Sequence, residues 1–206
     1  IMEKWPELRL YSTYASTEMS TTFTECDAQQ GGHHHPELII TEVLDDEGNP
    51  LPYGQLGELT ITTLGVEGMP LLRFRTGDMV TLHDTPCSCG RNTLRVSPVV
   101  GRKQQMIKYK GTTLYPPALM DLLTEFAQVE NYIIEISSNE ILTDEILIKI
   151  GTCEPSEALK EEIANHFRAK MRVVPKIEFY PVDTIEQQLY PKGSRKPIKF
   201  IDRRGE

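Results

Sequence analysis

Short alternating runs of apolar and polar residues fill the first half of the chain, up to about residue 103. Turns rich in glycine, proline and acidic residues separate these runs, which is the pattern of β-strands joined by tight connections. The predicted strands are residues 8–14, 36–44, 59–64, 79–83 and 94–100. We therefore predict that residues 1–103 form a mostly β domain.

Helical spacing of apolar residues appears beyond residue 103. Pro116 opens a predicted helix, in the position that suits proline best. The buried stripe of this helix consists of Leu119, Leu122, Leu123 and Phe126. A second helix is predicted over residues 156–170, where acidic residues gather near the start and basic residues near the end, as the helix dipole favours.

Four strands are predicted around these two helices. They cover residues 106–114, 131–137, 145–151 and 176–182. The resulting order, β-α-β-β-α-β, is that of a ferredoxin-like fold. We therefore assign the chain to the α+β class, with a second domain over residues 104–206.

Composition excludes several classes of protein. The chain has 206 residues, of which 39% are hydrophobic and 25% charged, as is typical of a soluble globular protein. A net charge of −8 argues against a nucleic-acid partner, and the apolar runs are too short to span a membrane. Four cysteines and the lack of a recognisable leader in this sequence predict a reducing, cytoplasmic location.

Candidate chemistry is concentrated between residues 71 and 111. The carboxylate of Asp78, which follows Gly77 in a predicted turn, can accept two hydrogen bonds from a diol such as ribose. Arg102 can bind the same sugar or a phosphate in a forked geometry. Taken alone, a Thr-Gly-Asp sequence is more often an ordinary turn with a solvated aspartate.

Several motifs occur in a fixed order along the chain. Tyr14–Glu18 reads YASTE, Arg75–Asp78 reads RTGD and Cys87–Arg91 reads CSCGR. Gly101–Gly111 begins GRKQQ, and Pro191–Lys196 reads PKGSRK. In this order they resemble the YGxSE, RTGD, CxCGR, GRxDDxxxxxG and PRxxGK motifs of the adenylate-forming enzymes, the acyl-CoA synthetase superfamily. The resemblance is closest to phenylacetate-CoA ligase-like proteins and extends over nearly the whole chain.

The resemblance implies a specific architecture. Residues 1–103 would be the small, β-barrel-like C-terminal subdomain of a large AMP-binding domain, and residues 104–206 would be the mobile C-terminal lid. The family's Ser/Thr/Gly-rich phosphate loop does not occur in this sequence. We therefore expect the chain to be the C-terminal part of a longer enzyme, and to be inactive alone.

The resemblance also assigns nucleotide-binding roles. Tyr14 would lie against the adenine, Thr17 would contact a phosphate or the acyl carboxylate, and Asp78 and Arg102 would bind the ribose. Glu18 would bind Mg²⁺, for which a carboxylate is a suitable ligand. The alternative is an ordinary strand-to-helix connection, with Thr17 or Glu18 capping the helix. Ala15 replaces the family's usual glycine here.

In the lid, Lys196 would be the adenylation lysine, whose ammonium neutralises charge between the substrate carboxylate and the α-phosphate. Arg195 stands where the family has glycine, so a basic, solvated tail is the alternative. The hinge would fall at Lys103 and Gln104, although Gln104 replaces the family's aspartate. The residues expected near the CoA channel are Lys108, Tyr109, Lys110 and Gly111.

Cysteine and histidine residues of the first domain suggest a metal site. Two thiolates on one turn, Cys87 and Cys89, together with the distant Cys26 and one histidine, would give a tetrahedral Cys₃His zinc site. Buried thiols and solvated imidazoles are the alternative. The spacing in similar proteins points to His33 rather than its two histidine neighbours. Four protein ligands would make the zinc structural, and Cys153 would be a lone thiol.

The function implied is that of an ATP-dependent acid–CoA ligase, which forms an acyl-AMP and passes the acyl group to CoA. Its substrates would be an aryl-acetic type of acid, ATP with Mg²⁺, and CoA. Two alternatives remain open: an adenylating enzyme that loads a carrier protein or another acceptor, and a non-catalytic, zinc-stabilised ligand-binding module. The sequence leaves open whether the assembly is a homodimer.

Overall fold

A computed structural model describes residues 4–109, 111–138, 144–191 and 194–204. The chain divides into two compact units, Ile1–Gln104 and Gln105–Glu206, one residue beyond the predicted boundary. Among the described residues, strands outnumber helices, and the three α-helices all belong to the second unit. None of these helices is long and apolar enough to cross a membrane.

The first unit is a single antiparallel sheet. Its strands are β1 Thr13–Ala15, β2 Thr22–Thr24, β3 Gly32–His33, β4 Ile39–Leu44, β5 Leu56–Thr63, β6 Phe74–His83, β7 Arg95–Val96 and β8 Gly101–Arg102. They are ordered β1-β2-β3-β7-β6-β5-β4, and β8 also pairs with β6. Among the described strands, β1 and β4 lie at the two ends of this path.

The core of this unit lies on the buried face of its longer strands. It is formed by Met19, Phe23, Ile39, Val43, Leu59, Ile61, Val80, Leu82 and Val96. Alternation therefore predicted the central strands well, but the predicted strand over residues 8–14 is formed only from Thr13. Its exposed apolar residues, Leu8 and Leu10, belong to none of the strands in the part of the chain that the structure describes.

The predicted glycine turn before Asp78 is instead part of β6. Glu58 of β5 pairs with Met79, and Thr60 pairs with Arg75, so two steps along β5 match four steps along β6. The extra residues form a bulge, where Gly77 takes a φ of +77° that side chains disfavour. The predicted turn at Gly77 was therefore wrong, because this glycine lies in a bulge within the continuous strand β6.

The second unit combines a hairpin, a four-stranded sheet and the three helices. Its elements are β9 Ile107–Tyr109, β10 Thr112–Leu114, α1 Pro116–Leu123, β11 Asn131–Ser138, β12 Asp144–Gly151, α2 Glu157–Met171, β13 Lys176–Tyr180, α3 Val182–Leu189 and β14 Phe200–Asp202. The sheet order is β13-β12-β11-β14. Ser156 caps α2 by accepting a hydrogen bond from the Leu159 amide, and Arg172 ends it in a left-handed conformation.

The ferredoxin-like arrangement is not confirmed. The predicted strand over residues 106–114 folds back at Gly111 (φ +82°) into the hairpin β9–β10, which among the described strands forms a separate two-stranded sheet. The fourth strand of the sheet is instead β14, which lies parallel to β11. The helix α3 and the strand β14 were both missed by the sequence analysis.

Candidate functional site

Three of the predicted nucleotide-binding residues lie together around the bulge in β6. Asp78 is 9% exposed, and its carboxylate accepts a hydrogen bond of 2.7 Å from the Tyr14 hydroxyl. Arg102 of β8 is paired with Asp78 of β6, and its Nε lies 3.4 Å from the Asp78 carboxylate. The Asp78 amide donates to the hydroxyl of Thr76, which fixes the bulge locally. The result is a carboxylate held between a phenol and a guanidinium.

Tyr14 is placed by β1 and by its neighbour Phe23. The two rings stack with centroids 5.8 Å apart and an interplanar angle of 15°. Burial, followed by the hydrogen bond to Asp78, raises the pKa of Tyr14 far above its usual value. The phenol is therefore neutral at physiological pH and donates its proton to Asp78, which keeps free lone pairs for a further donor.

Thr17 and Glu18 lie in an exposed turn that follows β1. The pKa of the Glu18 carboxyl lies below its usual value, chiefly because its own backbone amide donates a hydrogen bond and secondarily because Ser16 does. The carboxylate is therefore ionised and accessible. Met19, 1% exposed, anchors the turn in the core. The helix-capping alternative is wrong, since the next described element is the strand β2.

The predicted hinge residues begin a short 3₁₀ turn, Lys103–Gln105. The ammonium of Lys103 lies 3.2 Å from the carboxylate of Glu58 and 2.6 Å from that of Asp46. Burial alone would raise the pKa of Glu58, but hydrogen bonds from Arg75 and Lys103 outweigh it and lower the pKa. The network joins the turn to β5. Glu58 is the one charged residue of β5, and this was the sequence signal that could have predicted the network.

The proposed catalytic lysine, Lys196, lies in an exposed segment of the second unit. Its carbonyl accepts a hydrogen bond of 2.6 Å from the Ser194 hydroxyl. Further along, the Ile198 amide donates to the Leu189 carbonyl, which ties the segment to the end of α3. Exposure alone fits both an adenylation lysine and a solvated tail.

The residues predicted near a CoA channel belong to the β9–β10 hairpin. Lys108 and Tyr109 are on β9, and Gly111 forms the turn. The amide of Lys108 donates to the carboxylate of Asp144 at 2.7 Å, which fixes the strand. The remaining member of the set, Lys110, lies outside the described residues, as does Lys192.

A second cluster in the first unit consists of Cys26, His33, Cys87 and Cys89. Their four potential ligand atoms all lie within 4.8 Å of one another. Cys26 Sγ is 3.5 Å from Cys87 Sγ, and Cys89 Sγ is 3.5 Å from His33 Nε2. Of the three consecutive histidines, only His33 belongs to this group in the part of the chain that the structure describes.

The donor set fits a zinc ion. Tetrahedral zinc bonds of about 2.0–2.3 Å would place neighbouring ligand atoms roughly 3.3–3.8 Å apart. His33 directs Nδ1 to the Thr93 hydroxyl at 3.0 Å, which leaves Nε2 facing the thiols. The backbone amide of Arg91 is the largest cause that lowers the pKa of Cys89, and it favours the thiolate that a metal requires.

Comparisons with known proteins show which sequences this chain is similar to. No family model matches the chain. The chain is 34% identical over 181 residues to the phenylacetate-coenzyme A ligase of Thermus thermophilus, a match that covers 82% of this chain and 41% of the relative. It is 28% identical over 181 residues to the enzyme of the same name from Aromatoleum evansii, covering 84% and 39%. The chain thus spans about two fifths of the length of these relatives.

Solved structures show the fold. A 2-hydroxyisobutyryl-CoA ligase, in the postadenylation state in complex with R3-HIB-AMP, matches 98% of this chain and 44% of its own, with a TM-score of 0.77 and 23% identity. An anthranilate CoA ligase in complex with anthranoyl-AMP matches 96% of this chain and 40% of its own, with a TM-score of 0.61 and 18% identity. The fold is that of the C-terminal part of the adenylate-forming enzymes. In sequence, this chain is similar to part of the phenylacetate-coenzyme A ligases.

Proposed function

We propose that this chain is the C-terminal part of an ATP-dependent acid–CoA ligase, which forms an acyl-AMP and then passes the acyl group to the CoA thiol. The observation that carries the proposal is the cluster of Tyr14, Asp78 and Arg102, which offers an aromatic face and a buried carboxylate side by side. The names of the related enzymes support the same reaction class. An aryl-acetic type of acid is the proposed substrate.

The first unit supplies the nucleotide-binding groups. The Tyr14 ring lies against the adenine, Asp78 accepts hydrogen bonds from the ribose hydroxyls, and Arg102 donates to the same sugar. Thr17 contacts a phosphate or the acyl carboxylate. The exposed, ionised carboxylate of Glu18 is a suitable ligand for the Mg²⁺ that accompanies ATP.

The second unit acts as a mobile lid. Adenylation needs a positive charge between the attacking carboxylate and the α-phosphate, and we assign this charge to Lys196. Rotation about Lys103 and Gln104 would then withdraw this lysine. The hairpin that includes Lys108 and Tyr109, together with Lys110 and Gly111, would line the path of CoA in the second step.

The cluster of Cys26, His33, Cys87 and Cys89 is proposed to hold a structural zinc ion. When bound, the ion supplies a cross-link between two loops and no reaction step, since four protein ligands leave no open position. The first loop follows the turn that carries Glu18, and the second follows β6, which carries Asp78. The cluster therefore steadies both nucleotide-binding segments.

The test separates the two half-reactions in the complete enzyme. Lys196→Ala should lower the rate of acyl-AMP formation by about 10²–10³-fold, the effect of removing one preorganised charge. The same variant, supplied with acyl-AMP and CoA, should form acyl-CoA at nearly the normal rate. Lys170→Ala, which removes an exposed lysine at the end of α2, is the matched control.

Other outcomes are equally informative. Equal losses in both half-reactions would contradict the alternating lid, and no loss in either would move the role to Lys192 or Lys199. Transfer of the acyl group to a carrier protein but not to CoA would favour the second candidate enzyme. Failure of the complete protein to form acyl-AMP from any acid would favour a non-catalytic binding module.

A further inference from the structure

A buried arginine joins the two loops that carry the Cys₃His cluster. Arg95 of β7 is 4% exposed. Its guanidinium donates to the carbonyl and the side-chain oxygen of Gln30 at 2.9 and 3.2 Å. It also donates to the carbonyl and hydroxyl of Thr85 at 3.0 and 2.8 Å. Gln30 lies between Cys26 and His33 in the sequence, so one side chain holds both ligand loops.

The position of Arg95 in the sheet brings it to the cluster. Arg95 and His33 are Cα partners across the antiparallel pair β3–β7. Thr85, the second acceptor residue, comes two residues before Cys87. A guanidinium suits this bridging role because its rigid fork can donate to two acceptors on each side, whereas an ammonium has no such planar geometry.

The charge of Arg95 has no compensation from its own hydrogen-bond partners. All four bonds within the described residues go to neutral oxygen atoms, and its Nε is buried without a partner there. A buried cation is costly unless an anion lies near it. A zinc ion held by three thiolates and one neutral imidazole carries a net charge of −1, which would provide that anion, whereas neutral thiols would not.

We propose that Arg95 is a positioning residue of the metal centre: it fixes the spacing of the two ligand loops and balances the charge of the zinc–thiolate cluster. The inference rests on the zinc site proposed above. By linkage, Arg95 strengthens zinc binding, and bound zinc stabilises the fold that buries Arg95.

The experiment measures zinc affinity of the reduced 206-residue chain by competition with a chromophoric chelator. Arg95→Met should weaken zinc binding about 10–100-fold, the usual effect of losing an outer-shell partner. Arg95→Lys keeps the charge but not the bridge, so its loss should be smaller but measurable. Ile61→Val, a core change remote from the loops, should bind zinc as the unaltered chain does.

A second measurement separates this role from simple packing. The rise in unfolding temperature on adding zinc should be smaller in both Arg95 variants than in Ile61→Val, whereas a packing role would lower stability with and without zinc alike. Wild-type zinc affinity in either Arg95 variant overturns the inference, and Arg95→Lys decides it if Arg95→Met does not fold. Failure of the unaltered chain to bind zinc would instead remove the metal centre itself, and this inference with it.

Discussion

At the scale of single residues, Asp78 owes its environment to the glycine that precedes it. Gly77 adopts a positive φ within β6, and the resulting bulge turns Asp78 toward Tyr14 and Arg102. An alanine at residue 77 would have to adopt the same left-handed conformation against its preference. The position of the carboxylate is thus set by backbone geometry, and its partners then hold it.

Replacement of Asp78 by alanine should weaken ATP binding in the complete enzyme. It removes a carboxylate acceptor for two ribose hydroxyls, a loss of about 1.5–3 kcal/mol, or roughly ten- to hundredfold in affinity. Equilibrium binding of ATP measures the effect, with Asp84→Ala as the control because that aspartate is exposed in the same unit. Unchanged affinity in a folded Asp78→Ala protein would show that the carboxylate serves only the fold.

At the scale of secondary-structure elements, β5 connects β6 to the 3₁₀ turn through Glu58. The Glu58 side chain is 8% exposed and pairs with both Arg75 and Lys103. Because a buried carboxylate is expensive without its partners, the glutamate and the two cations stabilise one another as a set. The proposed hinge therefore begins at a residue, Lys103, that is fixed to the first unit.

Glu58→Gln should destabilise the first unit at pH 7 by about 1–3 kcal/mol, a value discounted because both cations are about a third exposed. The folded-state pKa of Glu58 lies below its usual value, so its stabilisation is full above an unfolded pKa of about 4.3. That contribution is lost as the pH falls through the lower, folded pKa. The stability difference between the unaltered chain and the variant should therefore shrink toward pH 3.

Urea unfolding at several pH values measures this difference. Glu47→Gln, at an exposed position of the same unit, should change stability little at any pH. If the stability difference between the unaltered chain and Glu58→Gln stayed constant down to pH 3, the substitution would act through packing rather than through loss of charge.

The sequence predicted best those elements that are stabilised by residues close to one another in the chain. The helices α1 and α2 were predicted because Pro116, the charge pattern of α2 and the apolar stripes act within a few residues. The strand β14 was missed because its three residues gain hydrogen bonds only by pairing with β11, more than sixty residues earlier. The hairpin was missed for a different, local reason: residues 106–114 resembled one continuous strand, but Gly111 turns the chain back within them.

In the candidate site, too, some residues could be predicted from the sequence, whereas the roles of others depend on long-range contacts. Cysteine and histidine spacing suggested a group of candidate ligands, but the choice of His33 came only from resemblance to other proteins, and its position beside the thiols is known only from the fold. Arg95 and Glu58 carry no motif that marks them, because their roles depend on partners brought together by long-range strand pairing. Each is a charged residue next to an apolar strand residue, Leu59 or Val96, but only the fold shows that it is buried.

At the scale of the whole molecule, each unit has its own hydrophobic core. That of the first unit is drawn from residues 14–99 and that of the second from residues 107–201. The Cys₃His cluster belongs entirely to the first unit. A metal bound there stabilises the unit that folds around its ligands, and its removal should leave the second core intact.

Chelation of zinc should therefore loosen one unit selectively. Structural zinc in small sites contributes on the order of 10 kcal/mol, so a strong chelator under reducing conditions should speed amide hydrogen exchange across β2, β3 and β7. Exchange in α2 and β12 should be unchanged. Cys26→Ser, which deletes a ligand, should already show the fast exchange and respond no further to the chelator, whereas Cys153→Ser should behave as the unaltered chain. Equal loss of protection in both units would contradict their independence, and no response in either would contradict the metal centre.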